Sequence, residues 1–311
     1  MWYKYKCATQ QCLIAILQLS TKKLLTICNH YKTCPVPLHD YRFKVTALYC
    51  YAEISFKIVC IFIFMTVLAI YNQKGGVGKT AATVNLAYLA AEEGKRTLLW
   101  DLDPQGAAGF YFQAASTIKN EAKKILANEM DLAQSIQESG YENLDLIASD
   151  ISARNADVIL NELKQGKRRL KAALTPFKNE YDVVILDCPP GLSILHDHIF
   201  TAADWVLIPN IPTTLSMRSF DAVVQHFSDN NLDPNKIKAF FSMVDHRKNL
   251  HHEVLHEHHR NKTFLKNYIP YLSDVEKMGT QLAPVATYAY SSYAAQCFRD
   301  LWKEIRKVTQ L

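Results

Sequence analysis

The sequence predicts an α/β fold: a doubly wound, mostly parallel sheet with helices on both faces. Three observations carry this. From Met65 onward, short apolar runs alternate with longer helical patterns, the order that builds a helix-covered sheet. Most of the runs are apolar at nearly every position, as strands buried on both faces must be. The first run leads straight into a glycine-rich turn, "QKGGVGK", that opens a helix.

In chain order the candidate strands are "TVLAIYN" (66–72), "RTLLWD" (96–101), "LDLIAS" (144–149), "DVVILD" (182–187), "DWVLIP" (204–209), "KAFFSMV" (238–244) and "FLKNYIP" (264–270). All but the last are mostly apolar. Helices fit between them. "KTAATVNLAYLAAEEGK" starts at the glycine turn and stops near Gly94, a residue suited to end a helix. "NELKQGKRRLKAALTPF" precedes the fourth strand, and its basic residues read as a solvated face. The C-terminal "SSYAAQCFRDLWKEIRKV" places Tyr293, Cys297, Leu301 and Ile305 on one stripe, predicted to pack on the sheet.

Residues 1–64 differ from the rest. They hold six of the eight cysteines, and eight Lys or Arg against Asp40 and Glu53. Residues 65–311 carry 27 basic and 28 acidic side chains, a net charge of −1, so the formal +5 of the chain is no nucleic-acid signature of the folded domain. A disulfide framework sits poorly beside a phosphate-binding pattern suited to a reducing compartment. An anchor is suggested by "IVCIFIFMTVLAI", but 13 residues fall short of the roughly 20 a spanning helix needs. The expectation is that 1–64 is a Cys-rich basic leader upstream of a natural start at Met65, and that 65–311 is one domain.

The loop "YNQKGGVGKT" (71–80) ends as a phosphate loop does, with Gly78, Lys79 and Thr80. In such a loop backbone N–H groups cradle phosphates, the lysine reaches the outer phosphates, and the hydroxyl meets magnesium. Gln73 stands where the usual motif has its first glycine, and a second lysine, Lys74, precedes Gly75 and Gly76. One lysine suffices for a bound triphosphate, so the other requires a reason.

"KGGVGKT" resembles the deviant Walker A loop of the ParA/MinD family of P-loop ATPases. "LLWDLDPQG" (98–106), "YDVVILDCPPGLS" (181–193) and "FFSMVDHRKNL" (240–250) resemble that family's further motifs in the same order. The resemblance is closest to ParA/Soj-like partition proteins. It implies ATP and Mg²⁺ as cofactors, bound by Lys74, Gly75, Gly76, Val77, Gly78, Lys79, Thr80, Ala81, Met243 and Pro270. Thr80 and Asp187 are implied for magnesium, Asp187 through water. Lys74 and Asp103 are implied for catalysis: Lys74 reaching the phosphates of a partner subunit, Asp103 orienting the attacking water. Asp101 either supports them or caps a turn.

The resemblance also implies a slow, partner-stimulated ATPase that is a homodimer in its ATP state, acting in plasmid or chromosome partition or cargo positioning. An orphan regulator of a protein complex is the alternative. A ParB-like or adaptor activator and nonspecific DNA are implied partners, in a cytoplasmic, nucleoid-associated setting. Arg247 is the DNA-binding candidate, while Tyr271 and Asp274 stand at two positions where relatives carry arginines. Lys262, Lys266 and Lys277 are nearby cations. The chain ends without an amphipathic tail, which argues against membrane binding. "HHEVLHEHH" (251–259) contains His252, Glu253 and His256, a formal zinc-protease spacing; a solvated histidine-rich helix is the plainer reading.

Overall fold

The computed structural model describes residues 65–116, 124, 125, 127, 129–162 and 166–311. The expected leader, residues 1–64, lies outside them. The described residues form eight strands: β1 (Thr66–Ile70), β2 (Thr97–Asp101), β3 (Gln137–Tyr141), β4 (Leu144–Ile147), β5 (Val183–Asp187), β6 (Trp205–Asn210), β7 (Ile237–Val244) and β8 (Ile269–Pro270). Their spatial order is β3-β4-β2-β5-β1-β6-β7-β8, and every neighbouring pair is parallel except β3 and β4.

Side chains alternate between two layers because the strand period is two. Val67, Ala69 and Tyr71 enter one layer with Phe200 and Phe227; Leu68 and Ile70 enter the other with Leu86 and Trp302. Helix α1 (Lys79–Glu92) is buried around much of its circumference, which explains its small residues and its lack of a polar stripe. It stops where Gly94 takes φ 83°. The last helix, Tyr293–Thr309, covers α1. Its Leu301, Trp302 and Ile305 are fully buried, and Trp302 Nε1 donates to Glu93 Oε2 at 2.9 Å.

Four expectations are corrected. β3, "QESGY", is polar and half exposed at the sheet edge, with a register shift, so no apolar run announces it. The seventh expected strand shrinks to Ile269–Pro270, preceded by a single bridge from Phe264 to Ala239. The helix expected over 161–177 is broken: a helix ends at Glu162, another runs Arg169–Leu174, and the stretch containing Pro176 is a 3₁₀ turn. Tyr293 is 60% exposed, because Ala294 and Ala295 fill the inner face of the first turn.

Candidate nucleotide site

The helices needed here are α2 (Ala107–Tyr111), α3 (Ala156–Glu162), α4 (Arg169–Leu174), α5 (Ile194–Ala202), α6 (Thr214–Asp229) and α7 (Asn249–His258). After β1 the chain crosses to β2, and after β5 it crosses to β6 on the other side of β1, so a topological switch point lies between β1 and β5. In register, Ile70 and Asp101 both face Asp187, which levels three strand ends at the switch.

The glycine loop is held from below by buried amides. Asn72 Oδ1 accepts the Lys74 N–H at 2.9 Å, while Asn72 Nδ2 donates to the Pro209 carbonyl at 2.8 Å and to Asn210 Oδ1 at 3.1 Å. Ser216 Oγ donates to the same Asn210 oxygen at 3.1 Å. Gly76 and Gly78 take φ 70° and 87°, the left-handed region, and a Cβ on Gly78 would lie 2.8 Å from Ser242 Oγ. Within the loop, Lys79 Nζ donates to the Lys74 carbonyl at 3.0 Å, folding the ammonium back over the loop. Burial lowers the Lys79 pKa, opposed by the carboxylates of Asp187 and Asp103. Val77 is buried, whereas Lys74, Thr80 and Ala81 are half-buried and Gly75 is exposed. Among the described residues the Lys74 ammonium meets no hydrogen-bond or ion-pair partner.

Asp187 ends β5 fully buried. Burial pushes its carboxyl up to about 6, against the opposing pull of the Thr80 and Thr83 hydroxyls. Thr83 Oγ1 donates to Asp187 Oδ1 at 3.0 Å, but Asp187 Oδ2 has no hydrogen-bond partner. Asp101 caps a turn: Oδ1 accepts the Asp103 N–H at 3.0 Å, and Oδ2 accepts the Ala108 and Gly109 N–H groups at 3.0 and 3.3 Å. It therefore sets the position of Asp103 and the start of α2. Asp103 is half-buried, its Oδ1 accepting only the Gln105 N–H at 2.9 Å.

Beside the loop lies a cavity of about 290 Å³. Gly76, Gly78 and Ala81 line its phosphate-loop side, and Met243, Pro270 and Phe298 give it apolar walls. Met243 reaches it because the backbone there takes φ 54° where β7 shifts register. The structure thus brings together the loop, Thr80, Asp187, Asp103, Met243 and Pro270.

Arg247 is elsewhere and is not free. Its Nε and an Nη donate to Asp245 Oδ1 and Oδ2, both at 2.9 Å, and the Asp245 carboxyl is held well below its usual range by them. Tyr271 donates to Glu276, and Asp274 pairs with Lys277 at 3.1 Å. His252, Glu253 and His256 are exposed on α7; His252 Nε2 lies 2.8 Å from the His246 carbonyl. Among the described residues no group of three or more His, Cys, Asp or Glu could hold a metal, so the zinc-protease reading is withdrawn.

Three residues of the site escaped sequence reasoning: Asn72, Asn210 and Thr83. Asn72 and Asn210 did leave a signal, a polar amide ending an otherwise apolar strand.

The AAA domain family model matches residues 65–237. The sporulation initiation inhibitor protein Soj of Bacillus subtilis is 34% identical over 251 residues, covering 77% of this chain and 97% of Soj. The chain belongs to the ParA/MinD family. The chromosome partitioning protein ParA of Myxococcus xanthus is 31% identical over 252 residues, covering 78% of this chain and 88% of that protein. Among solved structures, a plasmid partition protein of Borrelia burgdorferi bound to AMPPNP shares the fold, with a TM-score of 0.69 at 21% identity, over 78% of this chain and 99% of that one. Family membership accounts for the loop with two lysines as a P-loop of the deviant type. Among the described residues no helix is long and apolar enough to cross a membrane.

Proposed function

We propose that this chain binds ATP with Mg²⁺, forms a dimer in that state, hydrolyses the nucleotide slowly, and uses the cycle in plasmid or chromosome partition or cargo positioning. The observation that carries the reading is the unpartnered Lys74 ammonium, on a loop whose own lysine, Lys79, already turns inward. A cation left free there is attracted to a second subunit's triphosphate and loses much of that attraction when the γ-phosphate leaves. Exposed apolar side chains support a facing partner: Phe110, Leu192, Leu215 and Leu250 all lie in or just beyond loops at the carboxyl ends of strands, the edge that carries the P-loop.

The loop N–H groups from Gly75 to Thr80 and the N-terminus of α1 receive phosphate oxygens, and Lys79 swings from the Lys74 carbonyl to neutralise them. Asp187 Oδ2, buried and without a partner, suits a water of a hydrated cation, with the Thr80 hydroxyl beside it. Magnesium, when bound there, neutralises phosphate charge during transfer. Asp103, fixed by Asp101, orients the attacking water. Met243 and Pro270 hold the base.

ATP turnover tests this. Asp103→Ala is expected to bind ATP like the parent while losing turnover, and Asp187→Asn to lose magnesium-dependent affinity; turnover surviving in Asp103→Ala contradicts the assignment. A second reading, a regulator of a protein complex without DNA, is favoured by one observation: the Asp245–Arg247 pair neutralises the DNA candidate in a domain of net charge −1. Nucleoid association belongs to the first reading only; both readings place the chain in the cytoplasm.

A further inference from the structure

His196 is a buried titratable group that the ATPase reading does not use. It lies in the first turn of α5, 1% exposed, and both ring nitrogens are engaged. Nε2 stands 3.1 Å from the Pro189 carbonyl, which can only accept, so Nε2 carries the proton. Nδ1 then has the free lone pair: it accepts the Ser193 N–H at 3.0 Å and faces Ser193 Oγ at 2.9 Å. One imidazole thus ties down both ends of the Pro189–Ser193 segment, which begins two residues after Asp187.

The middle of the same segment is tied to the P-loop strand. The Gly191 N–H donates to the Gln73 carbonyl at 2.9 Å, and the Tyr71 hydroxyl donates to the Gly191 carbonyl at 2.8 Å. Tyr71 also packs on the His196 ring, centroids 5.0 Å apart, and Phe200 lies 6.2 Å from it. The segment is therefore fastened on one side by the strand that feeds the phosphate loop and on the other by His196.

We propose that His196 is a positioning residue: its neutral ring locks the Pro189–Ser193 segment against the P-loop, and protonation of the ring releases the segment and stops turnover. The proton, taken from solvent, would go to Nδ1. There it would point at the Ser193 N–H, donor against donor, and although the serine hydroxyl can rotate to accept, the backbone group cannot. The ring has almost no contact with water, so the clash is relieved only by moving the segment.

The groups facing the ring set the sign. Burial lowers its pKa; the Pro189 carbonyl, Asp157 of α3 and Asp197 of α5 raise it, and Lys79 of α1 lowers it. Tyr71, the residue after β1, contributes an uncharged phenol. Asp157 and Asp197 are already occupied, by the Leu195 N–H at 2.8 Å and by His226 and Lys167 at 2.8 and 3.1 Å. The folded value lies below the ordinary ~6.5, so the lock is intact above that value and is lost as pH falls through the folded one.

The inference rests on the ATPase reading for its consequence, and its test has a readout that does not. His196→Gln keeps a capping-box acceptor for the Ser193 N–H, cannot titrate, and gives up the Pro189 bond. At neutral pH and saturating ATP and Mg²⁺, its kcat is expected to fall about fivefold with KM changed by less than about twofold, the loss of one buried neutral hydrogen bond. On acidification the wild type is expected to lose about tenfold per pH unit below the folded value, so that the variant overtakes it. In parallel, amide exchange of Gly191 and Ser193 without nucleotide, corrected for intrinsic pH dependence, should lose protection in acid in the wild type and not in the variant. Parallel pH profiles for the two proteins in exchange would overturn the proposal. Absence of turnover in both at neutral pH would count against the ATPase reading, while the exchange comparison still decides the clamp.

Discussion

Gly78→Ala should destabilise the nucleotide-free protein by two separable routes. Gly78 sits at φ 87°, where a residue with a Cβ costs about 1–2 kcal/mol. The added Cβ would also lie 2.8 Å from Ser242 Oγ, on a side chain that is 4% exposed and has little room to turn away. Overpacking of that kind costs about 1–3 kcal/mol. The total is about 2–5 kcal/mol, and for a domain of this size each kcal/mol moves Tm by about 2–4 °C. Thermal unfolding in nucleotide-free buffer measures it. Gly75→Ala is the control, since nothing lies within 4 Å of its Cβ and its φ is outside the left-handed region. Ser242→Gly in the Gly78→Ala background removes the obstacle and should restore the steric share only. A Gly78→Ala protein melting within about 1 °C of the parent would refute the reasoning, as would a double variant no better than the single.

Further outcomes follow from the acidic groups and the DNA candidate. Because burial holds the Asp187 carboxyl up at about 6, it must lose its proton to receive a hydrated cation. Affinity for ATP with magnesium should therefore be flat above about pH 6 and weaken about tenfold per unit below it. Calorimetry should show proton release over that range, and Asp187→Asn should abolish it. Asp101→Ala leaves the Asp103, Ala108 and Gly109 N–H groups without their acceptor and should cost about 2–4 kcal/mol in a urea melt, with Asp101→Asn recovering part. If DNA is a partner, Asp245→Asn frees Arg247 and should steepen the salt dependence of ATP-dependent retention by about one phosphate contact, whereas Arg247→Glu weakens retention; a gel-shift salt series insensitive to both favours the regulator reading.

Buried parallel strands were legible because they need apolar residues on both faces, so "VVILD" and "TVLAI" announce themselves. β3 and β8 lie at the sheet edges, where one side meets solvent or loop, and polar "QESGY" or a proline-terminated pair leaves no such run. The P-loop was legible for a related reason: cradling phosphate with backbone demands glycine at the left-handed positions, and Gly76 and Gly78 hold them. What supports the loop was not legible. Asn210 and Ser216 lie six residues apart at the end of β6 and the start of α6, and only the pairing of β1 with β6 brings Asn72 to them. Arg247 is a different case: Asp245 is only two residues away, but that it occupies the guanidinium fork is a matter of side-chain geometry. Asp101 and Asp103, two residues apart, could be told apart only by the three N–H groups that one of them accepts.

In the proposed cycle the two lysines of one loop serve different subunits. Sedimentation of Lys74→Ala and Lys79→Ala with a slowly hydrolysed ATP analogue and magnesium, beside a direct binding measurement on the monomer, tests it most directly. Lys79→Ala should lose nucleotide binding. Lys74→Ala should bind nucleotide as a monomer with affinity near the parent's and fail to dimerise. Equal loss of nucleotide affinity in both variants, or a Lys74→Ala protein that dimerises like the parent, would contradict it.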